Sequence, residues 1–242
     1  MPSQPAEQRE PRNLLLAALP DREMQIFRDS GQKISLHEGK ILQTASMDEE
    51  WLFFPTSAVL SLIAMTKDGL SVETGLVGHE GLVDFPQLFR HRNHTLECMV
   101  RHAGEVCQVS AEVVRQARLP TLHRLLLHYA GYRLSELSQT AVCNRFHRVR
   151  QRVSRWLLTA EDRIAKREID FTHEMMSAMV GARRPVVSSV IRQMEDEGLI
   201  EYRRGSLAIT NRAALEQAAC ECYGILSTAM TEYLTIFPLG EG

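Results

Sequence analysis

Along the chain the apolar residues change period near Ser110. From Gln32 to about Val109 they fall in short alternating or β-rich runs, KISLHEGKILQ, EWLFFPTSAVLSLIAMT, SVETGLV, LECMVRH and EVCQVS, punctuated by Gly69, Gly78, Gly81 and Gly104. Runs of this length and spacing predict an antiparallel sandwich or roll. Beyond Ser110 the period is helical. Leu122, Leu125, Leu126, Tyr129, Leu134, Leu137 and Ala141 recur at three-and-four spacing, which predicts a long helix over Leu119–Val142 with Pro120 in its first turn. A second helical pattern, RFHRVRQRVSRWLLTAEDRI, puts Phe146, Val149, Val153, Trp156 and Leu157 on one face. A break at Cys143–Arg145 separates the two patterns.

The chain therefore reads as α+β: a roll over residues 1–118, a linking helix over 119–143 and a helix-rich C-terminal domain over 144–242. Residues 1–12 are polar and read as a loose arm ahead of a helix near Asn13–Arg28. The linking helix either docks on its own domain or pairs with its copy in a second subunit. Its length and its place between two differently patterned halves favour pairing through Leu122, Leu125, Leu126, Tyr129 and Leu137.

In FTHEMMSAMVGARRPVVSSVIRQMEDEGLI, Thr172 is a good N-cap, and Met175, Met176, Met179 and Val180 form an apolar face. Gly181 suits a tight turn. A second helix begins near Arg184-Pro185, with Val187, Val190, Ile191 and Met194 inward and Arg184, Ser188, Ser189 and Arg192 outward. IEYRRGSLAIT then predicts two short strands turning at Gly205, with Arg203 and Arg204 at the tip. A short support helix, a glycine turn, a second helix with a free N-terminal end and a basic wing form a helix-turn-helix. An arginine at the start of the second helix can donate two hydrogen bonds to guanine O6 and N7 in a major groove.

Composition narrows the classes. A net charge of -2 over 242 residues, with 44% apolar and 24% charged residues, describes a globular protein whose basic character must be local. Five arginines between Arg145 and Arg155 make one such region, read as a solvated face or as a long-range attractor of phosphate. The scattered cysteines Cys98, Cys107, Cys143, Cys220 and Cys222 include no CxxC and predict neither a disulfide framework nor a metal site. Cys220 and Cys222, on a helix expected from Asn211 onward, should point in different directions as packed thiols. With no signal segment and no long apolar run, a cytoplasmic location without membrane contact is expected.

FTHEMMSAMVGARRPVVSSVIRQMEDEGLIEYRRGSLAIT resembles the winged helix of the Crp/Fnr family of bacterial transcription regulators. VCNRFHRVRQRVSRWLLTAEDRI resembles the helix that enters it, FFPTSAVLSLIAMTKDGLSVETGLVGHEGLVDFP the family's cyclic-nucleotide-binding-like roll, and Leu119–Val142 its dimerisation helix. The resemblance implies a non-enzymatic homodimer that binds palindromic double-stranded DNA, with RNA polymerase as a further candidate partner. It puts Arg184 at the base-reading position, while Pro185 and Ser189 stand where many members carry glutamate and arginine. Thr172, Arg183, Ser188 and Arg192 fall at phosphate or peripheral positions, and Arg203 and Arg204 on the wing. Cyclic-nucleotide members pair a glycine-glutamate with a later arginine. Here Gly78 and Glu80 are present, but His94-Thr95-Leu96 replaces the arginine motif, so nucleotide binding is not expected, no cofactor is assigned, and the alternative of a cyclic-nucleotide-responsive signalling module acting through protein partners is disfavoured. The rival of a different class is a metal-dependent enzyme using Glu80 with His79, His91, His94 and His102 of the roll; surface or core histidines are the plainer reading.

Overall fold

The computed structural model describes residues 13–43, 50–89, 96–164, 168–203 and 205–237. Asn13 caps the short helix α1 (Leu14–Ala17), accepting at Oδ1 from the Leu15 and Leu16 amides. Its Nδ2 donates to the carbonyls of Pro55 and Gly81, at 2.9 and 2.7 Å, so the entry to the chain is fastened to the roll. Helix α2 (Asp21–Ser30) leads into β1 (Gln32–Leu36), β2 (Ile41–Gln43), β3 (Trp51–Pro55), β4 (Val59–Met65), β5 (Ser71–Val77), β6 (Leu96–His102) and β7 (Gly104–Ser110). These form two antiparallel sheets, ordered β1-β7-β3 and β2-β6-β4-β5.

The apolar runs are continuous here because both faces of several strands are covered. In β3, Phe53 points between the sheets with Leu60, Val77, Val100 and Val106, whereas Leu52 and Phe54 face the helices outside. In β4, Leu60 and Leu62 face the roll interior while Val59 and Ile63 join the core of the C-terminal domain.

After α3 (Ala111–Gln116) comes α4 (Pro120–Phe146), 27 residues long, then α5 (Val149–Arg163). The break expected at Cys143–Arg145 lies slightly later, at His147–Arg148, because α4 completes its last turn on the buried Cys143. The C-terminal domain continues through β8 (Glu168–Asp170), α6 (His173–Val180), α7 (Arg184–Asp196), β9 (Ile200–Arg203), β10 (Ser206–Ile209), α8 (Arg212–Ala218) and α9 (Cys222–Leu234). The wing is a three-stranded sheet ordered β8-β10-β9. Its third strand, β8, rests on the alternation Ile169-x-Phe171, both buried. The single helix expected from Asn211 is two, broken after Ala218.

The leading face of α4 requires a correction. Leu122, Leu125, Leu126 and Tyr129 are buried within the same chain, against Leu15, Leu52, Leu82 and the end of α9. They are thus unavailable to a second subunit. The Tyr129 hydroxyl donates to the Leu82 carbonyl, 2.8 Å away, and a Cβ on Gly81 would lie 2.4 Å from the Tyr129 ring, so only glycine fits there. The inward face then continues through Tyr132, Arg133, Glu136, Thr140 and Cys143. Leu134 lies five residues beyond Tyr129, about 140° around the helix. It belongs with Leu127, Leu137 and Val142 to a second, exposed apolar stripe.

The first turn of α4 is capped from another helix. Glu23 of α2 accepts the Thr121 amide at Oε1 and the Leu122 amide at Oε2, each at 3.0 Å, while Leu119 offers no side-chain cap. Burial opposes ionisation of Glu23, but the two amides outweigh it and hold its carboxyl below the usual value. A lowered folded-state pKa contributes stability above the unfolded value near 4.5, and that contribution is lost as pH falls through the folded value. Glu23→Ala is therefore expected to cost roughly 0.5–2 kcal/mol at neutral pH and less in acid, measured by urea denaturation at both.

Two carboxylate-centred contacts help fasten the C-terminal domain to the roll. Trp156 Nε1 donates to Glu73 Oε1 at 2.6 Å, and Ser61 donates to the other Glu73 oxygen at 2.5 Å. In the second, Arg163 at the end of α5 donates to Glu80 of the roll (3.1 Å) and to Tyr132 Oη of α4 (2.7 Å), and also pairs with Glu136, which in turn pairs with Arg133. Glu80, Arg133 and Glu136 of this second network are buried, and the Arg163 side chain is only 9% exposed. Burial disfavours the Glu80 carboxylate, yet Arg163 and the Gly78 amide outweigh it and lower its pKa.

Candidate DNA interface

Helix α6 starts where Thr172 Oγ1 accepts the Met175 amide at 3.1 Å. It ends at Gly181 (φ 58°, ψ 48°), a left-handed conformation that glycine adopts without a Cβ penalty. That turn sends α7 off with its N-terminal end outward. Arg183 is its N-cap and Arg184-Pro185 open the first turn, where the missing proline amide costs no helical hydrogen bond.

The inward residues of α7 are Val187, Val190, Ile191 and Met194, all buried against Met176, Met179, Val180 and Leu207. The outward face carries Arg183, Arg184, Pro185, Val186, Ser189 and Arg192, all exposed. Arg184 makes only a loose, exposed pair with Glu174 at 3.7 Å, which leaves its guanidinium free to exchange partners. Arg203 on β9 is exposed beside Glu201, whereas Arg204 lies outside the described residues.

Two of the expected contact residues also have partners within the chain. Thr172 Oγ1 accepts the Met175 amide in the α6 cap, which leaves its own O–H to donate, and Ser188 Oγ lies 2.8 Å from His173 Nδ1, bracing α7 against α6. Val186 shares the exposed face of α7, although a valine in an amphipathic helix carries no sequence signal of exposure beyond its position one residue off the inward stripe.

The arginine-rich region divides by burial. Arg150 makes a two-pronged pair with Glu197 at 2.6 and 2.5 Å, tying α5 to the end of α7. Arg155 is buried, while Arg145 and Arg148 remain exposed. The region is therefore only partly a solvated face. Of the four roll histidines, His91 and His94 lie outside the described residues. His79 is exposed and His102 buried, and neither joins a group of three metal-ligating side chains among the described residues.

Residues 151–218 match the sequence model of the Crp-like helix-turn-helix domain. None of the curated proteins matches the chain in sequence. Solved structures match in fold. A putative Crp/Fnr-family transcriptional regulator from Eubacterium rectale is 18% identical with a TM-score of 0.68, over 84% of this chain and 96% of that one. FixK2 from Bradyrhizobium japonicum is 13% identical, TM-score 0.66, over 78% and 98%. The c-di-GMP-responsive global regulator CLP of Xanthomonas campestris is 18% identical, TM-score 0.65, over 78% and 99%. No helix among the described residues is long and apolar enough to cross a membrane.

Proposed function

We propose that this chain, which has the fold of the Crp/Fnr-type DNA-binding transcription regulators and carries a Crp-like helix-turn-helix, acts as a cytoplasmic homodimer on palindromic DNA without a cyclic nucleotide. The observation that carries the DNA reading is the outward face of α7, rigidly backed and free at its N-terminal end. In this reading Arg184 reads a guanine and the exposed Val186 meets a thymine methyl. Arg183, Arg192, Arg203 and Arg204 hold phosphate, and Pro185 and Ser189 line the groove without the charged pair many relatives use. Thr172 and Ser188 position α6 and α7, and Thr172 keeps its O–H for a phosphate oxygen. RNA polymerase would be the downstream partner.

Sites selected from a random duplex pool supply the test. Arg184→Ala is expected to lose about 1–3 kcal/mol on its best site and to bind single mismatches at one position almost equally well. Arg203→Ala should weaken all sequences together and reduce the slope of log affinity against log salt by roughly 0.9, leaving the ranking of sites intact. Retention of full base preference by Arg184→Ala, with its loss in Arg203→Ala, would move the reading from α7 to the wing.

Dimerisation is supported by the exposed stripe Leu127, Leu134, Leu137 and Val142. A second copy paired along it would set two α7 helices to enter successive major grooves, about 34 Å apart. Nucleotide independence is supported by Glu80: the carboxylate that the resemblance assigns to a ribose hydroxyl is already held by Arg163 and the Gly78 amide. Calorimetry with millimolar cyclic AMP or cyclic GMP is expected to give no saturable heat; micromolar affinity would overturn this part of the reading.

A further inference from the structure

Three thiols and an imidazole meet where α4 ends. Cys143 lies in the last turn of α4, His147 caps it, Cys220 sits in the turn after α8, and Cys222 is the first residue of α9. The helix break after Ala218 brings the last two together: on one continuous helix they would point apart, but here both face Cys143. The four ligand atoms all lie within 4.8 Å of one another. Cys143 Sγ is 3.6 Å from Cys220 Sγ, and Cys222 Sγ is 3.4 Å from His147 Nδ1.

The sulfur–sulfur and sulfur–nitrogen separations of 3.6 and 3.4 Å are close to the edges of a metal-centred tetrahedron, and the 4.8 Å spread of the four atoms is within reach of one ion. A zinc-sized ion with sulfur ligands near 2.3 Å and nitrogen near 2.05 Å sets sulfurs about 3.8 Å apart and sulfur and nitrogen about 3.6 Å apart. We propose that Cys143, His147, Cys220 and Cys222 form a closed Cys3His site for a single divalent transition-metal ion of the zinc type. The same spacing disfavours an iron–sulfur cluster, whose several metal atoms would stand between the cysteines and spread them further.

The surroundings are built for such an ion. His147 Nε2 lies 3.1 Å from Glu221 Oε1, the carboxylate contact that fixes a ligating imidazole with its other nitrogen turned to the metal. Gln139 Nε2 donates to Cys222 Sγ at 3.0 Å, a bond that a metal-bound thiolate accepts well. Three thiolates and a neutral imidazole around a doubly charged ion leave one negative charge. Arg155, 7% exposed with its Nε unpartnered among the described residues, lies beside Cys143 and can balance it. On binding, each thiol passes its proton to solvent as its sulfur–metal bond forms, so no oxidant or reductant is required. The ion would clasp the end of α4, the entry to α5 and the start of α9.

The test uses the full chain purified with a reductant and zinc, then dialysed against metal-free buffer. Elemental analysis and native mass spectrometry should find one zinc per chain, and cobalt exchange should give the thiolate charge-transfer and strong visible bands of a tetrahedral site. Cys143→Ser and Cys222→Ser should each lose the ion, while Cys107→Ser, away from the cluster, should keep it. Far less than one ion per folded wild-type chain with reactive thiols would overturn the assignment. So would an unbound protein two hydrogens lighter with Cys143 disulfide-linked to Cys220, or full occupancy in both serine variants. The wild-type readouts need no variant to fold, and none depends on DNA binding.

Discussion

Leu134→Glu is expected to yield a folded monomer whose affinity for a palindromic site falls by about 100- to 10,000-fold, the advantage of engaging two half-sites at once. Leu134 is 66% exposed in the single chain, so a carboxylate there remains solvated before association and must be desolvated at the proposed interface. Sedimentation at micromolar concentration checks the state of association, and circular dichroism checks that the monomer stays folded. Leu126→Glu serves as the contrast. At 2% exposure it places a charge inside the roll's own helical cover and should unfold the chain rather than divide a dimer. A Leu134→Glu protein that still sediments as a dimer would remove the exposed stripe from consideration.

The second large effect is expected from Arg163→Ala. The substitution leaves Glu80 and Glu136 buried with Arg133 as their remaining cation, a loss of about 3–5 kcal/mol for a buried pair broken on one side. The deficit has a pH signature. In the native chain Arg163 holds the Glu80 pKa below 4.5, so its favourable contribution exists above that value and fades as pH falls. Without Arg163 the same burial favours the protonated carboxyl, whose penalty is relieved in acid. The stability difference between the two proteins should therefore narrow between neutral pH and about pH 4, as read from guanidinium denaturation midpoints. A constant difference across that range would mean that packing, not charge, accounts for the loss.

The helix-turn-helix is legible in the sequence because its signals are local: a threonine cap, a glycine at positive φ, a proline in the first turn and an inward stripe of Val187, Val190, Ile191 and Met194. The roll is legible for a similar reason, though blurred where β3 and β4 bury both faces. The outward face of α4 is not. Leu126 and Leu134 satisfy the same helical spacing, and which one faces inward is decided by Leu15, Leu52 and Tyr233, far away in the chain. The meeting of Cys143 with Cys220 depends on a helix break at Ala219, where no glycine or proline marks the boundary. Likewise, a lone Arg163 in a helix-period text carries no sign that Glu80 is its partner, 83 residues earlier.

Synthesis of the chain makes α9 after the roll that it covers. Tyr233 stacks on Tyr132 with ring centres 5.1 Å apart and donates to the Glu80 carbonyl at 2.7 Å, and Phe237 joins the same core as Leu15. Residues from the opposite end of the chain thus close the helical side of the roll. A nascent chain leaving the ribosome with its roll and α4 complete still exposes the apolar surface that α9 will cover. The usual order, in which the leading domain finishes folding while the next is still being made, does not apply here. That surface stays uncovered until translation has passed α9, so the helical side of the roll closes only after the DNA-binding domain has been made.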